Sequence, residues 1–187
     1  DQYLYPYYEK EIKSGDLDTS DVLELLENFL IRLGHSSWLF YGRKLGQLEG
    51  YNLLFSPARG NLVTVTLSGK DKNQQDLTNE LTYLILHAHA NNGLGFPNLA
   101  VRLHENSPDK LWEACARVIG TGKGQPAVMN DEVMIPALKR LGFTEEDAHN
   151  YADIGCIEMG AAGKSVGPVS IGFVNLAKCL DLVLHNG

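Results

Sequence analysis

The most informative stretch of the chain reads Tyr151-Ala-Asp-Ile-Gly-Cys-Ile-Glu-Met-Gly-Ala-Ala-Gly-Lys-Ser-Val-Gly167 and lies between two helical patterns. It places Cys156 and Glu158 on a segment flanked by glycines. In an extended segment, side chains two residues apart leave the same face. A thiol and a carboxylate would then point into one space, where the sulfur could attack and the carboxylate could move a proton on adjacent atoms of one substrate. We take Cys156 and Glu158 as the candidate catalytic pair.

Strand and helix patterns alternate along the chain on both sides of this stretch. Alternating or β-branched runs predict strands over residues 61–67, 99–104 and 127–129. Apolar residues at helical spacing predict helices over residues 18–33, 77–90, 108–119, 131–141, 144–151 and 170–184. Gly34 should end the first of these helices, and Ser107 and Thr144 should cap the third and fifth. Leu99, Val101 and Leu103 should share one face of their strand, with Arg102 and His104 on the other. The alternation predicts an α/β fold with barrel-like or open parallel pairing.

Composition excludes several classes of function. The chain has 187 residues and a net charge of −7, with its lysines and arginines spread along the chain and never more than two in a row, so we expect no nucleic-acid partner and no membrane surface. No apolar run approaches the roughly 18 residues of a membrane span. Three cysteines without paired spacing suit a reducing, cytoplasmic compartment. Dispersed histidines and the lack of a C-x-x-C motif predict no metal site.

The other motifs have structural explanations. Cys115 and Cys179 lie on or beside apolar helical stripes, which predicts core packing. Lys164 and Ser165 end like a phosphate-binding loop, but Glu158 stands where that motif requires glycine. Asp131 opens a helix, where a carboxylate is stabilised by the helix dipole, so we expect a structural role for it.

Several segments resemble the glycyl radical enzymes related to pyruvate formate-lyase. The resemblance is strongest at Gly155-Cys156-Ile157-Glu158. Other similar segments follow the family's order and cover nearly the whole chain: Asp1-Gln-Tyr-Leu-Tyr-Pro-Tyr-Tyr8, Thr78-Asn-Glu-Leu81, Pro97-Asn-Leu-Ala-Val-Arg102, Pro126-Ala-Val-Met-Asn-Asp-Glu132, Asn175-Leu-Ala-Lys178 and Asn186-Gly187. The fold that this resemblance implies is a ten-stranded β/α barrel with the cysteine on a loop inside it.

The resemblance also implies a mechanism. An activating enzyme that uses S-adenosylmethionine and an iron-sulfur cluster makes a radical on a glycine in a C-terminal domain. Cys156 matches the cysteine that becomes a thiyl radical, and Glu158 matches the glutamate that serves as general base. We expect no cofactor to bind this chain directly and no metal ion to be held by its site residues.

Departures from the family pattern narrow the reaction. Pyruvate formate-lyase has two adjacent cysteines, whereas Gly155 precedes Cys156 here, which argues against formate-forming acyl transfer. Glu158 resembles the branch that contains dehydratases and the C–N and C–S lyases, so elimination from a small hydroxylated substrate is expected. Ser170 stands where glycerol-type dehydratases carry an acidic residue, which argues against glycerol itself. Decarboxylation of arylacetates is the alternative within the family.

Two alternatives lie outside radical chemistry. One is a cysteine hydrolase with Cys156 as nucleophile, assisted by Glu158 and Lys164. The other is a noncatalytic α/β binding domain.

No radical-glycine motif occurs within residues 1–187. We therefore expect a partial catalytic domain that lacks the C-terminal glycine radical domain and is inactive alone. The resemblance implies a small-molecule substrate, the activating enzyme and a second copy of the full-length chain as partners. It further implies the cytoplasm of an anaerobic bacterium and leaves open a bacterial microcompartment.

Overall fold

The structure, a computed structural model, describes residues 1–41, 63–155, 158–165 and 175–185, with the side chains of residues 35–41 left out. Within these ranges the chain forms seven helices and five strands. In chain order they are α1 (Tyr5–Ser14), α2 (Thr19–Tyr41), β1 (Thr64–Ser68), α3 (Glu80–Asn92), β2 (Asn98–Leu103), α4 (Asp109–Ile119), β3 (Ala127–Asn130), α5 (Asp131–Arg140), α6 (Glu145–His149), β4 (Tyr151–Ile154), β5 (Glu158–Ala161) and α7 (Leu176–His185). No helix in these ranges has the length and apolar character needed to span a membrane.

Three strands form a parallel sheet in the order β1-β2-β3. Val65 of β1 is in register with Leu99 of β2, and Val101 of β2 is in register with Val128 of β3. Helix α3 connects the first two strands and α4 connects the second and third. Parallel neighbours require such crossovers, so the predicted α/β class with parallel pairing is confirmed.

The sheet has one apolar face and one polar face. Leu67, Leu99, Val101 and Leu103 are almost completely buried in a core shared with α2, α3 and α4. Burying each of these side chains contributes about 1.5–3 kcal/mol. Because strand side chains alternate, the opposite face carries the polar residues of β1 and β2, namely Thr64, Thr66, Asn98 and Arg102. The predicted separation of Leu99, Val101 and Leu103 from Arg102 is confirmed.

The polar face is covered by a hairpin. Strands β4 and β5 pair antiparallel, with Tyr151 opposite Ala161 and Ile154 opposite Glu158. The backbone N–H of Asp153 donates to Thr66 Oγ1 at 3.1 Å, which attaches β4 to β1. Strands β4 and β5 therefore lie against the side of the sheet that faces away from α2, α3 and α4.

A buried ion pair joins the sheet, α5 and the hairpin. Arg102 donates through Nε and Nη2 to the two carboxylate oxygens of Asp131, both at 2.9 Å. The side chains of Arg102 and Asp131 are 5% and 0% exposed. The hydroxyl of Tyr151 donates to Asp131 Oδ1 at 2.6 Å, and the guanidinium carbon lies 4.1 Å from the centre of the Tyr151 ring. Asp131 thus has the structural role predicted for it, through this pair as well as through its helix.

Gly69 makes room for this ion pair. Its φ angle is +106°, and a Cβ atom there would lie 2.6 Å from Cζ of Arg102. A side chain at this position would require both an unfavourable backbone conformation and displacement of the guanidinium.

Several predicted boundaries were wrong. Helix α2 does not end at Gly34 but continues to Tyr41. A Cβ atom on Gly34 would lie only 3.3 Å from the carbonyl oxygen of Phe96. The glycine permits close packing there and does not end the helix. Ser107 does not cap α4, since its hydroxyl accepts the backbone N–H of His104 at 2.9 Å and Pro108 takes the cap position.

The helix predicted over residues 144–151 is shorter than expected. Thr144 caps α6 as predicted, accepting the N–H of Asp147 at 3.1 Å. The helix ends at His149, and Tyr151 begins β4, where its hydroxyl donates to Asp131. Helix α7 begins at Leu176 in the described part of the chain, while Ser170 lies outside it.

The two other cysteines differ from each other. Cys115 is 3% exposed in the core, as predicted, and burial raises the pKa of its thiol to about 11, which makes it a poor nucleophile. The prediction of core packing for Cys179 was wrong: it is exposed on α7, a helix with no buried residue among those described.

The ion pair gives a first prediction. Replacing Arg102 with Met leaves the carboxylate of Asp131 buried without its cation, which should lower the free energy of unfolding by about 3–5 kcal/mol. Arg117 is the matched control, because it pairs with Glu113 on the surface with 76% of its side chain exposed, and Arg117→Met should cost at most about 0.5 kcal/mol. Urea unfolding of the full-length variants measures both. Equal midpoints for the two variants would contradict a stabilising role for the buried pair.

Candidate functional site

The tip of the hairpin carries the predicted catalytic pair. Glu158 is the first residue of β5 and lies opposite Ile154, the last residue of β4. Gly155, Cys156 and Ile157 connect the two strands, and the last two of them lie outside the described residues. The predicted common direction of the Cys156 thiol and the Glu158 carboxylate therefore stays a prediction, while the placement of Glu158 can be analysed directly.

Gly155, the residue before the candidate nucleophile, is held in place by the sheet. Its carbonyl oxygen accepts two hydrogen bonds from the polar face of the sheet, from Thr64 Oγ1 at 2.9 Å and from Asn98 Nδ2 at 2.8 Å. Its φ angle is +75°, a conformation that glycine adopts at little cost. The chain is thus attached to the sheet immediately before Cys156.

The carboxylate of Glu158 turns back over this glycine. A Cβ atom on Gly155 would lie 3.0 Å from Oε2 of Glu158, so the carboxylate occupies space that any other residue would fill. Glu158 is half-buried. The carboxylate of Glu158 thus lies beside Gly155, the residue before Cys156, as a base that acts next to residue 156 would have to.

Sequence reasoning missed a second carboxyl group at the site. Asp153 in β4 is 5% exposed, and neither of its side-chain oxygens has a hydrogen-bond partner among the described residues. Burial, and then the negative charge of Glu158, raise the pKa of Asp153 to about 6. An acidic residue within a strand, two positions from Tyr151 and from Gly155, was the available signal, since Asp is uncommon in strands.

The far end of the hairpin is held separately. Ser165 accepts the backbone N–H of Ala161 at 2.8 Å. Lys164 extends to the outside, where its amine lies 2.7 Å from Asp147 and its side chain is 60% exposed. This ion pair raises the pKa of Lys164. The lysine is therefore a surface cation, which agrees with the dismissal of a phosphate-binding loop.

Metal ligation finds no support in the part of the chain that the structure describes. No group of three His, Cys, Asp or Glu side chains in those ranges is arranged to hold an ion. The acidic residues of the described hairpin are Asp153 in β4 and Glu158 in β5, one on each side of the link that contains Cys156.

Known proteins resemble this chain over its whole length. The family model described as pyruvate formate lyase-like matches residues 1–187. Isethionate sulfite-lyase of Nitratidesulfovibrio vulgaris is 34% identical over all of this chain and 22% of its own length. The chain therefore spans about a fifth of the length of this relative.

Solved structures agree with the fold. A structure from Roseburia inulinivorans, described in terms of 1,2-propanediol dehydration, superposes with a TM-score of 0.83 at 30% identity, covering 100% of this chain and 21% of that one. A glycyl radical enzyme from Archaeoglobus fulgidus gives a TM-score of 0.81 at 29% identity, with coverage of 100% and 23%. The predicted fold is confirmed, this chain corresponding to a portion of those larger structures. With every residue matched by the family model, the chain belongs to the pyruvate formate lyase-like family.

Proposed function

We propose that this chain is the part of a glycyl radical lyase or dehydratase that carries the reactive thiol at Cys156 and the general base at Glu158. The observation that carries the proposal is the attachment of Gly155 to the sheet, with the Glu158 carboxylate folded against it. A base is thereby held beside the residue that precedes the thiol. The lyase and dehydration functions named for the similar proteins support the same class of reaction.

The proposed reaction is elimination from a small hydroxylated substrate. Cys156 would lose the hydrogen atom of its thiol to the glycyl radical of the complete enzyme, which leaves the unpaired electron on the Cys156 sulfur. The thiyl sulfur of Cys156 then takes a hydrogen atom from the carbon that bears the hydroxyl group, so that an S–H bond forms as the C–H bond breaks. The unpaired electron now lies on that carbon.

Glu158 acts in the next step. A hydroxyl group on a radical carbon is far more acidic than an ordinary alcohol, and Glu158 accepts its proton. The bond to the leaving group on the neighbouring carbon breaks, and the leaving group takes the electron pair. The remaining carbonyl radical recovers a hydrogen atom from the Cys156 thiol, which leaves an aldehyde or similar carbonyl product and regenerates the thiyl radical.

The position of the hairpin suits this chemistry. Tyr151, Asp153 and Gly155 are buried against the polar face of the sheet. Shielding by protein prevents a substrate radical from reacting with water or oxygen. We propose that the rest of a longer polypeptide completes the shield and supplies the radical glycine, with an S-adenosylmethionine-dependent activating enzyme as partner, a homodimer as the assembled form and the cytoplasm of an anaerobe as its location.

A cysteine hydrolase fits the surroundings of the hairpin less well. That mechanism would use Lys164 as an assisting group near Cys156. Lys164 instead pairs with Asp147 at 2.7 Å and is largely exposed. A cation whose pKa is raised by such a pair is a weaker proton donor and is not available as a base at neutral pH.

Two substitutions test the assigned roles. In the full-length protein activated without oxygen, Cys156→Ser and Glu158→Gln should both keep the glycyl radical signal in electron paramagnetic resonance, because that radical forms on a distant glycine. Turnover should be abolished in Cys156→Ser, which cannot form a thiyl radical. In Glu158→Gln it should fall by about 10²–10⁴-fold through loss of the base.

Cys179→Ser is the matched control for the cysteine, since it removes a thiol from α7, outside the hairpin, and should leave turnover unchanged. Product formation from a panel of small diols and hydroxysulfonates measures turnover. Full activity in Glu158→Gln, or activity that persists in air, would refute the proposed function.

A second pair of variants tests the contact between Gly155 and Glu158. Gly155 and Gly163 have nearly the same φ angles, +75° and +73°, but a Cβ atom on Gly163 would meet nothing within 4 Å. Both alanine variants should lose about 1 kcal/mol of stability from backbone strain. Only Gly155→Ala should also lower kcat, because its methyl group displaces the Glu158 carboxylate. Equal kcat values in the two variants would show that the placement of this carboxylate does not matter.

A further inference from the structure

The carbonyl oxygen of Gly155 is held by two strands at once. Thr64 Oγ1 and Asn98 Nδ2 donate to it at 2.9 and 2.8 Å. Thr64 and Asn98 are the first residues of β1 and β2 and are in register with each other. A carbonyl oxygen has two lone pairs, so these two donors use its whole hydrogen-bonding capacity and fix it at the amino-terminal edge of the sheet.

The hairpin is attached to the sheet without these two hydrogen bonds. The backbone N–H of Asp153 donates to Thr66 of β1, and the hydroxyl of Tyr151 donates to Asp131. Strand β4 ends at Ile154, one residue before the carbonyl in question. The two hydrogen bonds to Gly155 therefore hold the chain beyond the strand, at the residue that is covalently joined to Cys156.

The side chain of Asn98 is oriented by Gln125, which lies two residues before β3. Gln125 Oε1 accepts the backbone N–H of Leu99 at 2.8 Å, so its Nε2 group is the one that faces Asn98 Oδ1, to which it donates at 3.3 Å. An amide side chain has an acceptor on one side and donors on the other. Because the oxygen of Asn98 is turned to Gln125, its Nδ2 group is turned to Gly155.

The two donors constrain the carbonyl differently. The hydrogen of the Thr64 hydroxyl rotates about its C–O bond, whereas the Asn98 amide donates in directions that Gln125 fixes. The peptide unit is planar, so the direction of the Gly155 carbonyl also sets the direction in which the chain continues to residue 156. Asn98 is thus the donor that restricts this direction most.

We propose that Asn98 is a positioning residue for Cys156, which it keeps within reach of its hydrogen-atom partners by holding the Gly155 carbonyl, and that Gln125 acts through Asn98. This inference rests on the proposed function, in which Cys156 carries the thiyl radical. Hydrogen-atom transfer requires the reacting atoms to be in near contact, and a displacement of about 1 Å slows a reaction by up to about 10²-fold.

The test is the exchange of hydrogen between the glycyl radical and the solvent in the full-length, activated protein without substrate. The radical glycine takes a hydrogen atom from the Cys156 thiol, so that a C–H bond forms as the S–H bond breaks, and the thiyl radical takes one back in the reverse step. A thiol exchanges its hydrogen with heavy water. Deuterium therefore replaces the α-hydrogen of the radical, and the splitting that this hydrogen causes in the electron paramagnetic resonance signal collapses. The rate of collapse reports the thiol step, because neither substrate nor base takes part.

Both members of the Asn98–Gln125 pair should affect this rate. Asn98→Leu keeps a similar shape without the amide and should slow the exchange about tenfold. Gln125→Glu should slow it by a similar factor, because the carboxylate still accepts the Leu99 N–H but offers no donor to Asn98. The Asn98 amide then turns its Nδ2 group to residue 125 and its oxygen to Gly155. The double variant should be no slower than Asn98→Leu, since Gln125 acts only through Asn98.

Asn92→Leu is the matched control for Asn98→Leu. Asn92 is also half-buried and also donates its amide to a backbone carbonyl, that of Glu27 at 3.1 Å, but between α3 and α2. Gln75→Glu adds the same charge as Gln125→Glu at an exposed position. Both controls should exchange at the rate of the unaltered protein.

A purely structural role for Asn98 would give a different result. It would lower the stability and the amount of radical without changing the rate at which each radical exchanges, so an unaltered rate in folded Asn98→Leu would overturn the proposal. If Asn98→Leu does not fold, Gln125→Glu carries the test and an unaltered rate there has the same meaning. Slowing that multiplies in the double variant would refute the action of Gln125 through Asn98.

Cys156→Ser separates this inference from the proposed function. If exchange persists in Cys156→Ser, Cys156 is not the thiol that meets the glycyl radical and both proposals fail. If Cys156→Ser abolishes the exchange while the variants of Asn98 and Gln125 exchange at the unaltered rate, the proposed function stands and only the positioning role is refuted.

Discussion

The buried carboxylate of Asp131 is the point at which three parts of the structure meet. It accepts four hydrogen bonds, two from Arg102 of β2, one from the Tyr151 hydroxyl of β4 and one from the backbone N–H of Lys70 after β1. Four is about the number that a carboxylate can accept. Burial of a charge is tolerated only when its hydrogen-bonding capacity is satisfied in this way. The position of the hairpin on the sheet therefore depends on this carboxylate, and with it the position of residues 155 and 158.

Much of the fold could be predicted because local pattern and tertiary structure agree. The alternation in β2, with Leu99, Val101 and Leu103 on one face, follows from the period of a strand and is preserved in the core. The features that could not be predicted depend on partners distant in sequence. Glycine often ends a helix, yet the backbone of Phe96 packs against Gly34 and α2 continues past it. The sequence pattern places Tyr151 at the end of a helix, whereas in the structure it begins β4 and its hydroxyl donates to Asp131.

Only part of the candidate site could be predicted from the sequence. Cys156 and Glu158 could be selected from spacing alone, because a thiol and a carboxylate two residues apart are an unusual pair between glycines. Asp153 could not, since burial without a hydrogen-bond partner among the described residues is a property of the folded chain and not of a motif. The two donors that hold the Gly155 carbonyl, Thr64 and Asn98, are separated from it by 91 and 57 positions, too far for any motif to reveal.

The hairpin is attached to the sheet mainly through its main chain. The carbonyl oxygens of Tyr151 and Gly155 and the N–H of Asp153 make the contacts with Arg102, Thr64, Asn98 and Thr66. Main-chain atoms are the same whatever side chains they carry, so these four hydrogen bonds remain when the side chain of residue 153 changes. The side chains of such a hairpin can therefore be exchanged, in evolution or in protein design, while the sheet that binds it keeps its structure.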